Sequence, residues 1–227
     1  MSSFGAAASD KPVRNALATL RARIADYRGR GIYAGYPDRF RCIFIHVPKT
    51  AGSSIARALF EVESRHVPYF EYERANPKKF RTYFKFGFVR NPWDRLVSTF
   101  FFLRRGGLNE LDRAWADKNL AAYSTFDAFV REWLNEDSIV SFPHFLPQSF
   151  FVADARGNVM VDFLGRYESL AADFAEVARR LGRACTLPLY NKSEHADFAD
   201  YYNADTRKIV ARVYARDIEL FNYRFDG

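Results

Sequence analysis

The chain has 227 residues, 48% of them apolar and 17% aromatic, with 34 Lys and Arg against 27 Asp and Glu for a formal net charge of +7. That composition excludes a disordered chain and is enough for one well-buried domain. The cationic surplus suits an anionic ligand, but the basic residues gather in no Arg-rich tract and no nucleic-acid fold signature appears, so nucleic acid is not the expected partner.

In residues 16–28, Leu17, Leu20, Ile24 and Tyr27 recur at helical intervals with basic residues between them, and Gly29, Gly31 and Gly35 end the pattern. Residues 1–40 therefore read as an accessory helix and linker, and 41–227 as the main domain. The apolar run Cys42-Ile43-Phe44-Ile45 reads as a buried strand, and Ile55, Ala56, Ala58, Leu59 and Phe60 as the helix that follows. The stretch between them, His46-Val47-Pro48-Lys49-Thr50-Ala51-Gly52-Ser53-Ser54, is thus a strand-to-helix junction, where the first free helix amides attract anions. Pro48 starts the turn, Gly52 lets the backbone approach a ligand, Ser53 or Ser54 caps the helix, and Lys49 adds a full charge. The Lys precedes the Gly, so the Gly-Lys-[Ser/Thr] ending of a nucleotide triphosphatase loop is missing, which disfavours an ordinary kinase or GTPase.

Residues 83–89 are aromatic and β-branched and read as a second strand, buried on both faces and ending at Arg90. Asn91 is the expected cap and Pro92 the first turn of a helix carrying Trp93, Leu96, Val97 and Phe100 at helical spacing, with Ser98 about two turns in. Asp94 and Arg95 read as a local ion pair or cap. Lys49 and Arg90 each follow a buried strand, at the sheet edge where α/β proteins bind ligands. An unpaired cation there is costly, and an anionic ligand with two separated charged groups offsets that cost.

The helix after Arg90 runs on to Gly106-Gly107, and residues 126–134 form another, capped by Ser124 or Thr125. An amphipathic helix over 170–181 stops at Gly182, and 206–221 reads as one last helix. Strands alternating with helices favour a parallel sheet covered on both faces. The remaining segments, 62–79, 106–124 and 139–151, read as loops that shape a substrate cleft.

Two stretches resemble a known family. Residues 44–54, Phe-Ile-His-Val-Pro-Lys-Thr-Ala-Gly-Ser-Ser, are similar to the 5′-phosphosulfate loop of sulfotransferases that use 3′-phosphoadenosine 5′-phosphosulfate (PAPS), and residues 86–98, Phe-Gly-Phe-Val-Arg-Asn-Pro-Trp-Asp-Arg-Leu-Val-Ser, to their 3′-phosphate motif. Within that superfamily the chain looks most like the carbohydrate sulfotransferases, the heparan 2-O type and bacterial relatives, and residues 161–170 and Asn191-Lys192-Ser193 also fit. The resemblance covers roughly residues 41–223 and implies a single α/β domain with a P-loop-like central parallel sheet. It implies PAPS as donor, no metal, and a hydroxyl acceptor on a glycan or glycolipid. Lys49, Thr50, Ala51, Gly52, Ser53, Ser54, Arg90, Ser98, Lys192 and Ser193 are then the donor-binding residues, and Lys49 is also catalytic.

Sulfuryl transfer to a hydroxyl also needs a base. His66 is the choice, because it lies between the two motifs where the related carbohydrate enzymes carry their catalytic His, and a His titrates near neutral pH. Glu63 is the reserve. His144, between Pro143 and Pro147, and Gln148, just after Pro147, are candidates to line the acceptor cleft, while His46 reads as a brace for its loop and His195 as a solvated residue.

Two other classes stay open at this point. One is a phosphoryl-transfer enzyme, for which Asp162, read as following a Val-rich strand, is the candidate metal carboxylate; the other is a nucleotide- or glycan-binding module without turnover. Cys42 and Cys185 lie far apart with no metal spacing and read as small core residues. The first ten residues lack the pattern of a signal peptide, and no stretch approaches the roughly 18 apolar residues of a membrane span. Related animal enzymes are Golgi membrane proteins, so the expectation here is a soluble cytoplasmic protein of the bacterial type.

Overall fold

The computed structural model describes residues 10–187 and 197–226, the side chains of 10–14 excepted. Its sheet has three parallel strands, β1 Cys42–Ile45, β2 Phe84–Val89 and β3 Phe163–Arg166, with β2 in the centre. Cys42 stands opposite Phe84 and Ile45 opposite Gly87, while Phe86 stands opposite Phe163 and Val89 opposite Arg166.

Alternation along the strands sorts the side chains into two cores. Cys42, Phe44, Phe86 and Phe88 pack with Ile55 and Leu59 of the helix Gly52–Phe60 and with Phe174 and Val177 of the helix Leu170–Arg180. Ile43, Ile45 and Val89 face the other way, against Tyr72, Phe80, Phe151 and Val152. Because both faces are covered, β1 is apolar throughout and β2 is buried along nearly all its length, with Lys85 near its start paired to Asp162. A third core joins the helix Pro92–Arg104 to the carboxyl-terminal helices through Trp93, Leu96, Phe100, Phe129, Phe145, Val210 and Tyr214. The result is a single α/β domain with a small parallel sheet.

Several boundaries differ from the sequence expectation. The last helix is two, Ala204–Val213 and Ala215–Leu220, because Tyr214 leaves helical geometry at φ −108°, ψ 25°. Thr125, not Ser124, caps the helix Phe126–Glu132 by accepting from the Ala128 amide. The segments expected as loops hold short helices at Tyr69–Ala75, Pro77–Thr82 and Gln148–Val152, which bury Tyr72, Phe80 and Phe151, and at Glu110–Asn119, which Asn109 caps. Asp162 does not follow a strand but precedes β3; its Oδ2 accepts from the Lys85 amide at 2.7 Å and pairs with Lys85 Nζ at 2.8 Å.

The amino-terminal helix, Asp10–Tyr27, ends one residue earlier than its pattern suggested and lies against the body. Asp26 anchors it from inside, accepting from Asn76 Nδ2 at 2.8 Å and Lys79 Nζ at 2.9 Å.

Candidate functional site

The loop after β1 is shaped by two non-glycine residues in the left-handed region, Lys49 at φ 68° and Ala51 at φ 63°. Each such residue costs ~1–3 kcal/mol and is kept where the surroundings fix it, often at functional sites. Alternating backbone signs of this kind turn successive amides inward and make an anion-binding concavity. Ala51 is the cap residue of the helix Gly52–Phe60, so Ser53 and Ser54 are not caps: they sit in the first turn, where the amides have no partner inside the helix. Thr50 is fully buried and its hydroxyl donates to Val47 O at 2.9 Å, which leaves its amide for a ligand.

Gly52 serves the loop differently from expectation. A Cβ there would lie 1.9 Å from His46 Cδ2, so the glycine makes room for the imidazole of His46. His46 is buried, with Nδ1 2.7 Å from Ser64 Oγ, and does brace the loop.

At the end of β2, Arg90 is buried and held on all sides. Its Nε and Nη2 donate to Asp94 Oδ2 and Oδ1 at 2.6 and 2.7 Å, its Nη1 to Lys49 O at 3.3 Å, and its guanidinium lies 3.9 Å from the centre of the Tyr167 ring. Asp94 therefore pairs with Arg90 and not with Arg95, because the turn at Asn91 and Pro92 brings the first helical carboxylate under the strand-end cation. Arg95 instead donates to the carbonyls of His144 and Leu146 at 3.1 and 2.9 Å. The need for an external anion at Arg90 is thereby reduced, since an internal carboxylate already meets part of its charge. Ser98 is buried on the same helix.

Gln148 does not line a cleft. It is fully buried, its Oε1 accepts from the Arg90 amide and its Nε2 donates to Arg90 O, both at 2.8 Å, so the side chain fixes the end of β2 and is out of a substrate's reach.

Lys49 turns back over the site, with Nζ 3.8 Å from the centre of the Phe102 ring. No carboxylate among the described residues forms an ion pair with it. Burial, followed by Arg90 and Arg105, pushes its pKa down to about 7, against the pull of Asp112. This is a different state from the free full charge expected from the sequence. A buried cation that has lost water and gained no carboxylate is a site an anion stabilises.

Around Lys49 stand three imidazoles. The ring centre of His66 lies 4.2 Å from that of His46 and 5.5 Å from that of His144, and His144 lies 5.2 Å from Phe102. His66 Nδ1 is 3.1 Å from His46 O; a carbonyl only accepts, so Nδ1 carries the proton and Nε2 keeps the lone pair. His144 Nε2 is 3.2 Å from Asp112 Oδ1, so by the same logic Nε2 donates, while Nδ1 is buried without a hydrogen-bond partner among the described residues. Burial lowers the pKa of His66, takes that of His144 to about 4 and puts that of His46 well below the usual range. All three are neutral near pH 7. Glu63, the reserve base, pairs on the surface with Arg57 and takes no part in this cluster.

The sequence reading missed Asp112 and Phe102, and read Tyr167 only as packing the following helix, whereas its ring lies under the Arg90 guanidinium. Asp112 is buried at the start of the helix Glu110–Asn119, and its Oδ2 accepts from the Leu108 amide at 2.9 Å. Gly107, at φ 65°, has no side chain because a Cβ would fall 2.1 Å from Asp112 Cβ. A paired glycine before an asparagine-capped helix was the available signal. Lys192 and Ser193 lie outside the described residues. Asp162 lies at the amino ends of the strands, the opposite edge from Lys49 and Arg90, and so cannot share a ligand with them.

Fold and site define an α/β protein that brings two strand-end cations and three neutral imidazoles to one edge of its sheet. Residues 36–224 match the sulfotransferase family, and the chain belongs to it. It is also 32% identical over 112 residues to an uncharacterized protein of Archaeoglobus fulgidus, a match covering 48% of this chain and 76% of that one. No solved structure matches. Among the described residues no helix is long and apolar enough to cross a membrane.

Proposed function

We propose that the protein transfers a sulfuryl group from PAPS to a hydroxyl on a carbohydrate or glycolipid. The family supplies sulfuryl transfer; the donor and acceptor are what the resemblance of residues 44–54 and 86–98 to the PAPS motifs of carbohydrate sulfotransferases implies. The observation that carries the reading is the convergence of Lys49, buried without a carboxylate partner, with the Nε2 lone pair of His66 and the strand-end Arg90.

In this reading the amides of residues 50–54 hold the 5′-phosphate, and Arg90 with Ser98 holds the 3′-phosphate. Lys49 meets the bridging oxygen, where negative charge grows as the S–O bond to phosphate breaks. His66 Nε2 takes the acceptor proton as the new O–S bond forms, and 3′-phosphoadenosine 5′-phosphate leaves. His144, oriented by Asp112, holds the acceptor from the other side of the cluster. His46 fixes the His66 tautomer through its carbonyl and the loop through its ring.

The test is a screen of labelled sulfate transfer from PAPS onto glycans and glycolipids, beside calorimetric titration with 3′-phosphoadenosine 5′-phosphate and with ATP-Mg. Labelled product and preference for the bisphosphate are expected. Preference for ATP-Mg would place the chain with phosphoryl-transfer enzymes, and tight bisphosphate binding without transfer to any acceptor would make it a binding module.

A further inference from the structure

The helix Asp10–Tyr27 is turned the opposite way from an ordinary amphipathic helix. Its small residues Ala18, Ala22 and Ala25 are partly buried and Asp26 is buried, while its large apolar residues face out: Leu17 is 48% exposed, Leu20 55%, Ile24 42% and Tyr27 92%. Spaced at i, i+3, i+7 and i+10, these four form one stripe along the outer face. Leaving such a stripe in water is unfavourable by roughly 25 cal/mol per Å² of apolar surface, so it marks a contact.

Charge decides what covers it. Arg21 and Arg28 flank the stripe on one side and Arg23 on the other, with Arg30 just beyond, and all four are exposed. Residues 15–35 contain one acidic side chain, Asp26, and it is spent inward on Asn76 and Lys79. Two copies packed face to face across residues 15–28 would bring Arg against Arg, with no outward-facing carboxylate in that stretch to separate them. A surface that offers negative charge beside hydrocarbon satisfies both parts of the pattern.

We infer that the outer face of the helix Asp10–Tyr27 docks on an anionic lipid bilayer, with Leu17, Leu20, Ile24 and Tyr27 at the acyl boundary and Arg21, Arg23 and Arg28 on the headgroups. This is peripheral binding, and it holds whichever acceptor the enzyme uses.

The experiment is vesicle flotation of the full chain with pure phosphatidylcholine and with phosphatidylcholine holding about one third phosphatidylglycerol, at low and high salt. Binding to the anionic vesicles is expected, with salt weakening it as the headgroup attraction is screened. Arg21→Glu with Arg28→Glu should weaken it roughly twenty-five-fold or more, at about fivefold for each cation removed from the surface. Leu20→Glu with Ile24→Glu should abolish it while the affinity for 3′-phosphoadenosine 5′-phosphate, which reports the folded body, stays at the wild-type value. Failure of the wild type to float with anionic vesicles overturns the inference, as does flotation of the Leu20→Glu, Ile24→Glu protein to the same extent. So does sedimentation showing a dimer that the same double substitution dissociates, because the stripe would then be covered by a second copy.

Discussion

His144 Nε2 and Asp112 Oδ1 lie 3.2 Å apart, joining a residue between two prolines to the start of a helix more than thirty positions earlier. The carboxylate sets the tautomer: with the proton held at Nε2, the buried Nδ1 is left as an acceptor aimed away from Asp112. Arg95 steadies the same segment by binding the His144 and Leu146 carbonyls. Asp112→Asn keeps the shape but lets an amide N–H face Nε2, which favours the reverse tautomer. The expected result is a loss of about tenfold to a hundredfold in kcat/KM for the acceptor, matching the 1–3 kcal/mol of a buried unpaired polar group. Affinity for 3′-phosphoadenosine 5′-phosphate should hardly change. Equal losses in both measurements would show that Asp112 only supports the fold.

Lys49 gives a linkage between donor and proton. With its pKa at about 7, the side chain is only partly charged in the empty site at neutral pH. An anion beside Nζ favours the charged form, so binding raises that pKa and takes up a proton as pH rises above about 7. Affinity for the bisphosphate should therefore fall as pH rises through this window. Calorimetry in buffers of different ionisation heat measures the uptake directly. Lys49→Ala should abolish the uptake and reduce turnover by a hundredfold or more, on the order found for lost electrostatic stabilisers.

Arg90 and Ser98 should make the enzyme discriminate on the 3′-phosphate, because a donor lacking it forgoes the charge-assisted hydrogen bonds that group would make with them. Adenosine 5′-phosphosulfate is expected to be a far poorer donor than PAPS. Since Asp94 already holds two nitrogens of Arg90, Asp94→Asn should lower the retention of the guanidinium at this edge and weaken bisphosphate binding without touching the acceptor. Equal rates with the two donors, measured by labelled transfer, would remove the 3′-phosphate from this part of the site.

The donor edge could be read from the sequence because its grammar is local: a buried strand, a turn and a helix start each lie within a few residues of Lys49 and of Arg90. Asn91 as cap and Pro92 in the first turn are read in the same way. The acceptor side could not. Asp112 reaches His144, and Phe102 reaches both Lys49 and His144, only after the chain folds back, and no spacing rule announces such a meeting. Gln148 was misplaced because an amide beside a histidine looks like a substrate contact, whereas burial made it a backbone clamp. Asp162 was misplaced because the Val-rich run before it looked like the strand, while pairing with β2 begins one residue later at Phe163.

His66 carries the last prediction. Burial lowers its pKa from the usual value near 6.5, so the neutral imidazole persists to lower pH than a surface histidine would allow. A base is active when neutral, and activity is lost only as pH falls through the depressed pKa. The acid limb of kcat/KM for the free enzyme should accordingly lie below 6.5, and proton NMR of the imidazole signals in the unliganded enzyme should place the His66 midpoint there. His66→Ala should lower kcat by roughly a hundredfold to ten-thousandfold with bisphosphate affinity nearly intact, because the residue meets the acceptor and not the donor phosphates. His144→Ala, measured beside it at the same donor concentration, should chiefly raise KM for the acceptor. If His144→Ala removes the acid limb and His66→Ala keeps it, the proton goes to His144, and the Asp112 pair becomes the catalytic dyad.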